Sequence, residues 1–249
     1  MNRRKRRRPS TMLKTDIVRL NDSSRVEFVE AGDPQGIPVI ALHGYINSAP
    51  GVAGPADSAA QRFGIRFIAP NRPGVGASRS KGVRRTKAER VQDTLRFADE
   101  LGLQSFGVFG ISAGAADALA TVALAPERAK ACCVVSGLAP IGHSRTLWQL
   151  RRPLPYLLRL AQLLPSLATA AILWLNLGLR CGSRDAWIQR LREILSPDDN
   201  ILLQNHADLL WNDRQEIFER GEGPYALMQE IRRMCFWGFR PEWVPHHVP

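Results

Sequence analysis

Short apolar runs separated by turn residues fill the chain up to Val135, and their length predicts strands. Ile17–Leu20 and Val26–Glu30 flank Asn21-Asp22-Ser23-Ser24, a strong turn signal, and read as a strand pair. Asp33-Pro34-Gln35-Gly36 marks another turn. The run after it, Val39-Ile40-Ala41-Leu42, is continuously apolar, as expected of a strand buried on both faces. Ile65–Ala69, Phe106–Phe109 and Ala131–Val135 have the same character. Helical periods lie between these runs. Thr86 stands three before Glu89 and predicts a capping box; Val91, Thr94, Leu95, Ala98 and Leu101 then share one helical face, and Gly102 can close the helix. Ala113–Ala125 is a second helix-forming stretch. Alternation of this kind predicts an α/β fold, a mostly parallel sheet with helices on both faces.

The alternation stops near Gly137. From about Ile141 to Phe236 the chain offers helical stretches and no convincing strand. Ser196-Pro197-Asp198-Asp199 is a helix start, with Ser as cap and Pro in the first helical position. The organisation expected is a basic disordered tail over 1–13, an α/β core over 14–140, a helical cap over 141–236, and a return to the core over 237–249. Leu160–Leu179 carries no charge, but Gln162, Pro165, Ser166, Thr169 and Asn176 dilute it. Two packed amphipathic helices over a site are expected there rather than a transmembrane span.

Composition narrows the picture modestly. With 45% hydrophobic and 23% charged residues, the 249-residue chain is globular rather than disordered or fibrous. Its net charge is +11, yet six basic residues crowd Arg3–Arg8, so the excess belongs largely to the tail. Nucleic-acid binding by the folded body is therefore not expected. The basic run could itself bind nucleic acid or an anionic membrane, although it has no aromatic interleaving. It resembles the charged start of a secretion signal, but Pro9-Ser10-Thr11-Met12 follows instead of an apolar stretch, and Met12 is an alternative start. Cys132, Cys133, Cys181 and Cys235 show neither metal-ligand nor disulfide spacing; Cys132 and Cys133, adjacent in an apolar run, are expected to be buried free thiols, and a cytoplasmic location is expected, with no metal and no cofactor.

Three motifs carry chemistry. Gly110-Ile111-Ser112-Ala113-Gly114 fits G-x-S-x-G between an apolar strand and a helix, the setting of a nucleophile elbow with Ser112 on a strained turn. His43-Gly44-Tyr45 follows the Val39–Leu42 strand, and Asn71-Arg72-Pro73-Gly74-Val75-Gly76-Ala77-Ser78 follows the next one. In this order, each at a strand end, the motifs resemble those of the α/β-hydrolase superfamily in its cap-bearing, serine-hydrolase branch. The resemblance runs from about Ile17 to Trp243. It implies that Ser112 is the nucleophile, that the backbone N–H groups of Tyr45 and Ala113 form the oxyanion hole, and that His43, Gly44, Gly110 and Gly114 support the motifs. Asn71 departs from the family's Asp. Phe236-Trp237-Gly238-Phe239 resembles the P-W-G-F segment that closes the cap in some bacterial members, with Phe in place of Pro.

The resemblance also implies a catalytic acid and a histidine after later strands, and neither is found. The sixth strand ends Val135-Ser136-Gly137-Leu138 without an acid, and only Val244-Pro245-His246-His247-Val248-Pro249 follows Trp243. His43 belongs to the oxyanion turn; His143 and His206 fall in or beside the cap; His246 and His247 would sit at the start of a strand, the wrong end for catalysis. The last two strands of the fold are thus expected to be missing, as in a truncated reading of a longer hydrolase. Ala131–Val135 would then be an unprotected edge open to self-association. The function expected is hydrolysis of a small, apolar ester, amide or similar bond, with an incomplete triad. A catalytically inactive pseudoenzyme or binding module on the same fold stays open beside it.

Overall fold

Six strands form one sheet in the order β1-β2-β4-β3-β5-β6. They are β1 (Thr15–Arg19), β2 (Arg25–Gly32), β3 (Ile37–Leu42), β4 (Ile65–Pro70), β5 (Phe106–Ile111) and β6 (Ala129–Val135). The computed structural model describes residues 13–21, 23–79, 86–137, 148, 154–164, 167, 183–223, 226, 229–230, 233–234 and 237–249. β1 and β2 are an antiparallel hairpin and β2 runs antiparallel to β4, whereas β3 pairs in parallel with β4 and β5, and β5 with β6.

Alternate residues of the central strands feed two different cores, because successive side chains leave opposite faces of the sheet. Ile40, Leu42, Ile68 and Val108 pack with Phe97 and Ala98 of α2 (Lys87–Glu100) and with Ala118 and Val122 of α3 (Gly114–Leu124). Ala41, Phe67 and Ala69 pack on the opposite face against Ala49, Ala53 and Ala60 of α1 (Ala49–Arg62). The α2 start is as the sequence indicates: Thr86 and Glu89 form a reciprocal capping box. The sequence reading names no helix between β3 and β4. Pro50, Gly51, Gly54 and Pro55 mask α1, but Pro50 falls in its first turn, where its missing N–H costs nothing, and Ser48 caps it.

After β6 the described chain is helical: α4 (Leu154–Leu163), α5 (Arg184–Ile194) and α6 (Pro197–Phe218). Ser196 caps α6 by accepting the Asp199 N–H. The segment then returns to the core. Trp237 and Phe239 stack, with ring centroids 5.1 Å apart, and join Met234 over Val91 of α2 and Ala116 and Ala120 of α3. The Trp237 carbonyl accepts the Ala88 N–H at 2.9 Å.

Two expectations need correction. Cys132 is half-buried and Cys133 exposed, because β6 is the outer strand and its outward face is uncovered. Cys181 and Cys235 lie outside the described residues, as do the basic tail with Met12, His143, and Phe236. Nor do His246 and His247 begin a strand: Pro241–Trp243 is a 3-10 turn, and a second turn closes from Val248 N–H to the Pro245 carbonyl. The Pro249 carbonyl accepts the Cys132 N–H at 2.9 Å, which ties the C-terminal segment to β6. Val134 and Val135 of β6, at the edge of the described sheet, are 41% and 38% exposed. Among the described residues no helix is long and apolar enough to cross a membrane.

Candidate active site at the β5–α3 turn

Ser112 occupies the turn between β5 and α3 at φ +54°, a left-handed conformation that costs a residue with a Cβ roughly 1 kcal/mol. The neighbours hold it there. Its N–H donates to the Val135 carbonyl of β6 at 3.0 Å, and its carbonyl accepts the Ala115 N–H at 3.1 Å. Close approach explains the flanking glycines: a Cβ on Gly114 would fall on the Leu42 carbonyl oxygen, and one on Gly110 would lie 2.6 Å from the Gly114 carbonyl oxygen. The end of β3 therefore abuts the turn. A Cβ placed on Gly44 would lie 3.1 Å from Ser112 Cβ and 3.5 Å from Ser112 Oγ. His43-Gly44-Tyr45 and Ser112-Ala113 are thus brought together across the sheet's C-terminal edge, where α/β proteins place their chemistry.

His43 is fully buried and both ring nitrogens are committed. The Arg72 N–H donates to Nε2 at 3.0 Å, which leaves Nδ1 to carry the proton and donate to the Gly44 carbonyl at 2.8 Å. Burial, with the Arg72 charge adding to it, pushes the imidazole down to about 3. At neutral pH His43 is an uncharged strut with no lone pair to offer Ser112. The other described histidines, His206, His246 and His247, are exposed.

Behind the strut lies a buried ionic cluster that the sequence reading missed. Arg72 reaches Asp117 at 2.7 Å and Glu230 at 2.6 Å; Lys87, with no exposed surface, reaches the same two carboxylates at 3.1 and 3.0 Å. Arg233 pairs with the other oxygen of Glu230. Burial works against ionised Asp117, but Lys87, Arg72 and Arg90 outweigh it and hold the carboxyl below the ordinary carboxylate range. Arg72 ties this cluster to the site, since its Nε donates to the His43 carbonyl at 2.7 Å. Glu230 ties in from the other side, its carbonyl accepting the Tyr45 hydroxyl at 2.9 Å. One signal was visible: Asp117 is the only charge in the Ala-rich α3.

Asn71, which departs from the resembled pattern, has a reason. Its Oδ1 accepts the Ala49 N–H at 2.7 Å and its Nδ2 donates to buried Glu27 at 3.1 Å. An aspartate here would face the Glu27 carboxylate, which already collects the Ala77 N–H and Arg220. A second missed residue is Asp213 of α6, 1% exposed. Its carboxylate sits on the N-terminus of α1, accepting from Ser48 N–H at 2.9 Å, from the Ser48 hydroxyl and from Asn47 Nδ2 at 3.2 Å. Burial nonetheless lifts it to about 6, against those donors. Asn47 is also beside the turn, its Oδ1 3.0 Å from the position a Gly44 Cβ would take. The helical region thereby grips the loop next to Ser112.

A cavity of about 40 Å³ is lined among others by His43, Arg72, Arg90, Asp93 and Asp117, and Ser112 is not among its lining residues. Among the described residues no group of three or more His, Cys, Asp or Glu could hold a metal ion.

Residues 37–169 match the family model described as alpha/beta hydrolase fold. Among solved structures, a hydrolase from Pseudomonas aeruginosa is 14% identical with a TM-score of 0.61, over 89% of this chain and 72% of that one. An enol-lactonase from Burkholderia xenovorans is 15% identical with a TM-score of 0.58, over 88% of this chain and 73% of that one. An epoxide hydrolase from Vigna radiata is 22% identical, with a TM-score of 0.46, over 51% of this chain; the chain spans 39% of that enzyme's length. A search of curated proteins found no match to the sequence.

Proposed function

The chain belongs to the alpha/beta hydrolase fold family, and on that premise we propose that it is built for acyl transfer to water from a small, apolar ester, amide or similar substrate. Ser112 Oγ attacks the substrate carbonyl carbon as its proton passes to a base, and the carbonyl oxygen takes up negative charge between the Tyr45 and Ala113 N–H groups. Collapse then breaks the ester or amide bond, the departing alcohol or amine takes that proton, and water releases the acid from Ser112. The observation that carries this reading is the left-handed Ser112, held against Gly44 between two closely packed glycines. Strain of that kind at a non-glycine residue is retained where a side chain must be presented at a fixed angle. Oxyanion donors of this type commonly contribute about 3 kcal/mol to transition-state stabilisation. Helices α4, α5 and α6 act as a cap, and the Leu and Trp content of the 141–236 sequence supports an apolar substrate. Free Cys132 and Cys133 support a reducing, cytoplasmic setting, and the open β6 edge supports self-association.

One observation favours a second reading. A serine needs a base to receive its proton, and His43 is locked by Arg72 and Gly44. A binding module that keeps the turn without turnover is the alternative. The two separate on one experiment: treat the chain and Ser112→Ala with a fluorophosphonate probe, and follow hydrolysis of short p-nitrophenyl esters alongside. Labelling and turnover that both vanish in Ser112→Ala support the hydrolase. A folded wild-type chain that neither labels nor exceeds the variant's background rate supports the binding module.

A further inference from the structure

Helix α4 presents an apolar face to solvent. Tyr156, Leu163 and, just beyond the helix, Leu164 and Leu167 are 49%, 64%, 51% and 57% exposed. Tyr156 and Leu163 are seven residues apart, two turns of α4, and so lie on one side of it. Trp148, 56% exposed, sets its ring edge-on to Tyr156 with centroids 5.6 Å apart, and Arg159 is exposed on the same helix. Isolated exposed leucines are ordinary, but a contiguous patch with two aromatic rings is not. Charge adds a second, independent observation. Between Glu127 and Asp185 the sequence contains no Asp or Glu, while Arg145, Arg151, Arg152, Arg159 and Arg180 fall within it.

We propose that this face of α4 is a docking surface for an anionic lipid membrane. Leucines and a Trp–Tyr pair backed by arginine, with no acidic residue nearby in sequence, are what an interfacial helix needs: apolar groups enter the acyl boundary, the rings lie at headgroup level, and the guanidinium meets lipid phosphate. α4 is 10 residues long, about 15 Å, and interrupted by Arg159, so it lies on the membrane rather than through it. A second copy of this chain fits the face less well. In a two-fold contact each patch meets itself, so Arg159 would face its own copy.

Vesicle co-sedimentation tests this independently of catalysis. The tail must be silenced first, so the full-length chain is used with Arg3, Arg4, Lys5, Arg6, Arg7 and Arg8 replaced by Gln. This protein should bind vesicles of phosphatidylcholine with phosphatidylglycerol, bind phosphatidylcholine alone weakly, and lose affinity as salt rises. Leu163→Ser with Leu164→Ser should lower affinity about tenfold or more, since binding follows buried apolar area. Arg159→Glu should weaken binding to the anionic vesicles selectively. Both variants alter exposed side chains and should keep the parent melting curve. Brominated lipids should quench the parent's tryptophan fluorescence more than that of Trp148→Phe. Failure of the tail-silenced chain to bind, or binding unmoved by the leucine changes, overturns the proposal. So does a dimer in sedimentation that those leucine changes dissociate, which would assign the face to a second copy.

Discussion

His43 makes the fold's support sensitive to acid in a calculable way. An unfolded chain protonates an ordinary histidine near pH 6.5, whereas the buried imidazole takes a proton only near 3. Between those values the unfolded state binds a proton that the folded state refuses, so stability is whole above pH 6.5 and falls as pH falls toward 3. Each unit is worth about 1.4 kcal/mol, which gives about 3 kcal/mol lost by pH 4.5 and about 5 kcal/mol over the full window. That is a large part of the 5–15 kcal/mol typical of a folded domain. The structural cause is specific: protonating Nε2 would break its bond from the Arg72 N–H and place a cation against the guanidinium. Urea unfolding followed by circular dichroism at intervals from pH 8 to 4.5 measures the effect, with His43→Gln as the reference. The variant should be less stable at pH 8, but its loss on acidification should be smaller than the parent's by about 3 kcal/mol at pH 4.5. Subtraction removes the groups the two proteins share. Parallel profiles would refute the reasoning, and with it the assignment of His43 as a neutral strut.

Asp213 should act with the opposite sign. Its folded value near 6, above the ordinary 3.8, makes its charge a cost of about 3 kcal/mol above pH 6 that disappears below about pH 4. Asp213→Asn, unfolded in urea at both ends, should therefore gain about that much relative to the parent at pH 7.5 compared with pH 4; an unchanged difference between the two pH values refutes it. Glu230→Gln leaves Arg72, Lys87 and Arg233 sharing one fewer buried carboxylate, and should cost roughly 3 kcal/mol in the same assay. A loss under about 1 kcal/mol would mean the cluster rearranges freely. At the turn itself, Ser112→Gly should be more stable than Ser112→Ala by about 1 kcal/mol, because only glycine adopts φ +54° without strain. Equal melting temperatures would show that the turn stores none.

The strands and the turn were legible because local rules and burial agree there. Val39–Leu42 is apolar at every position since both its faces are covered, and Thr86 and Glu89 cap α2 through bonds spanning three residues. α1 was not legible: its prolines and glycines read as breakers, and only packing of its alanines on β2, β3 and β4 makes it a helix. The cysteines were misjudged for a related reason. Ala131–Val135 has the composition of an inner strand, and composition does not report which strand lies at the sheet's edge. The acid–base cluster was hidden by separation along the chain, since Lys87, Asp117 and Glu230 meet only after α2, α3 and the returning segment have packed. Asp213 likewise reaches Ser48 across 165 residues, which no local pattern encodes.

The hydrogen bond from Ser112 to Val135 ties the β5–α3 turn to an edge strand of the sheet. Edge strands open more readily than central ones, so the Ser112 amide is secured by the rung that breaks first. Deuterium uptake at that amide should keep pace with fraying of β6 and run ahead of the core of β5, even though both belong to one stretch of chain. Whatever zips onto β6 would then also quieten the serine.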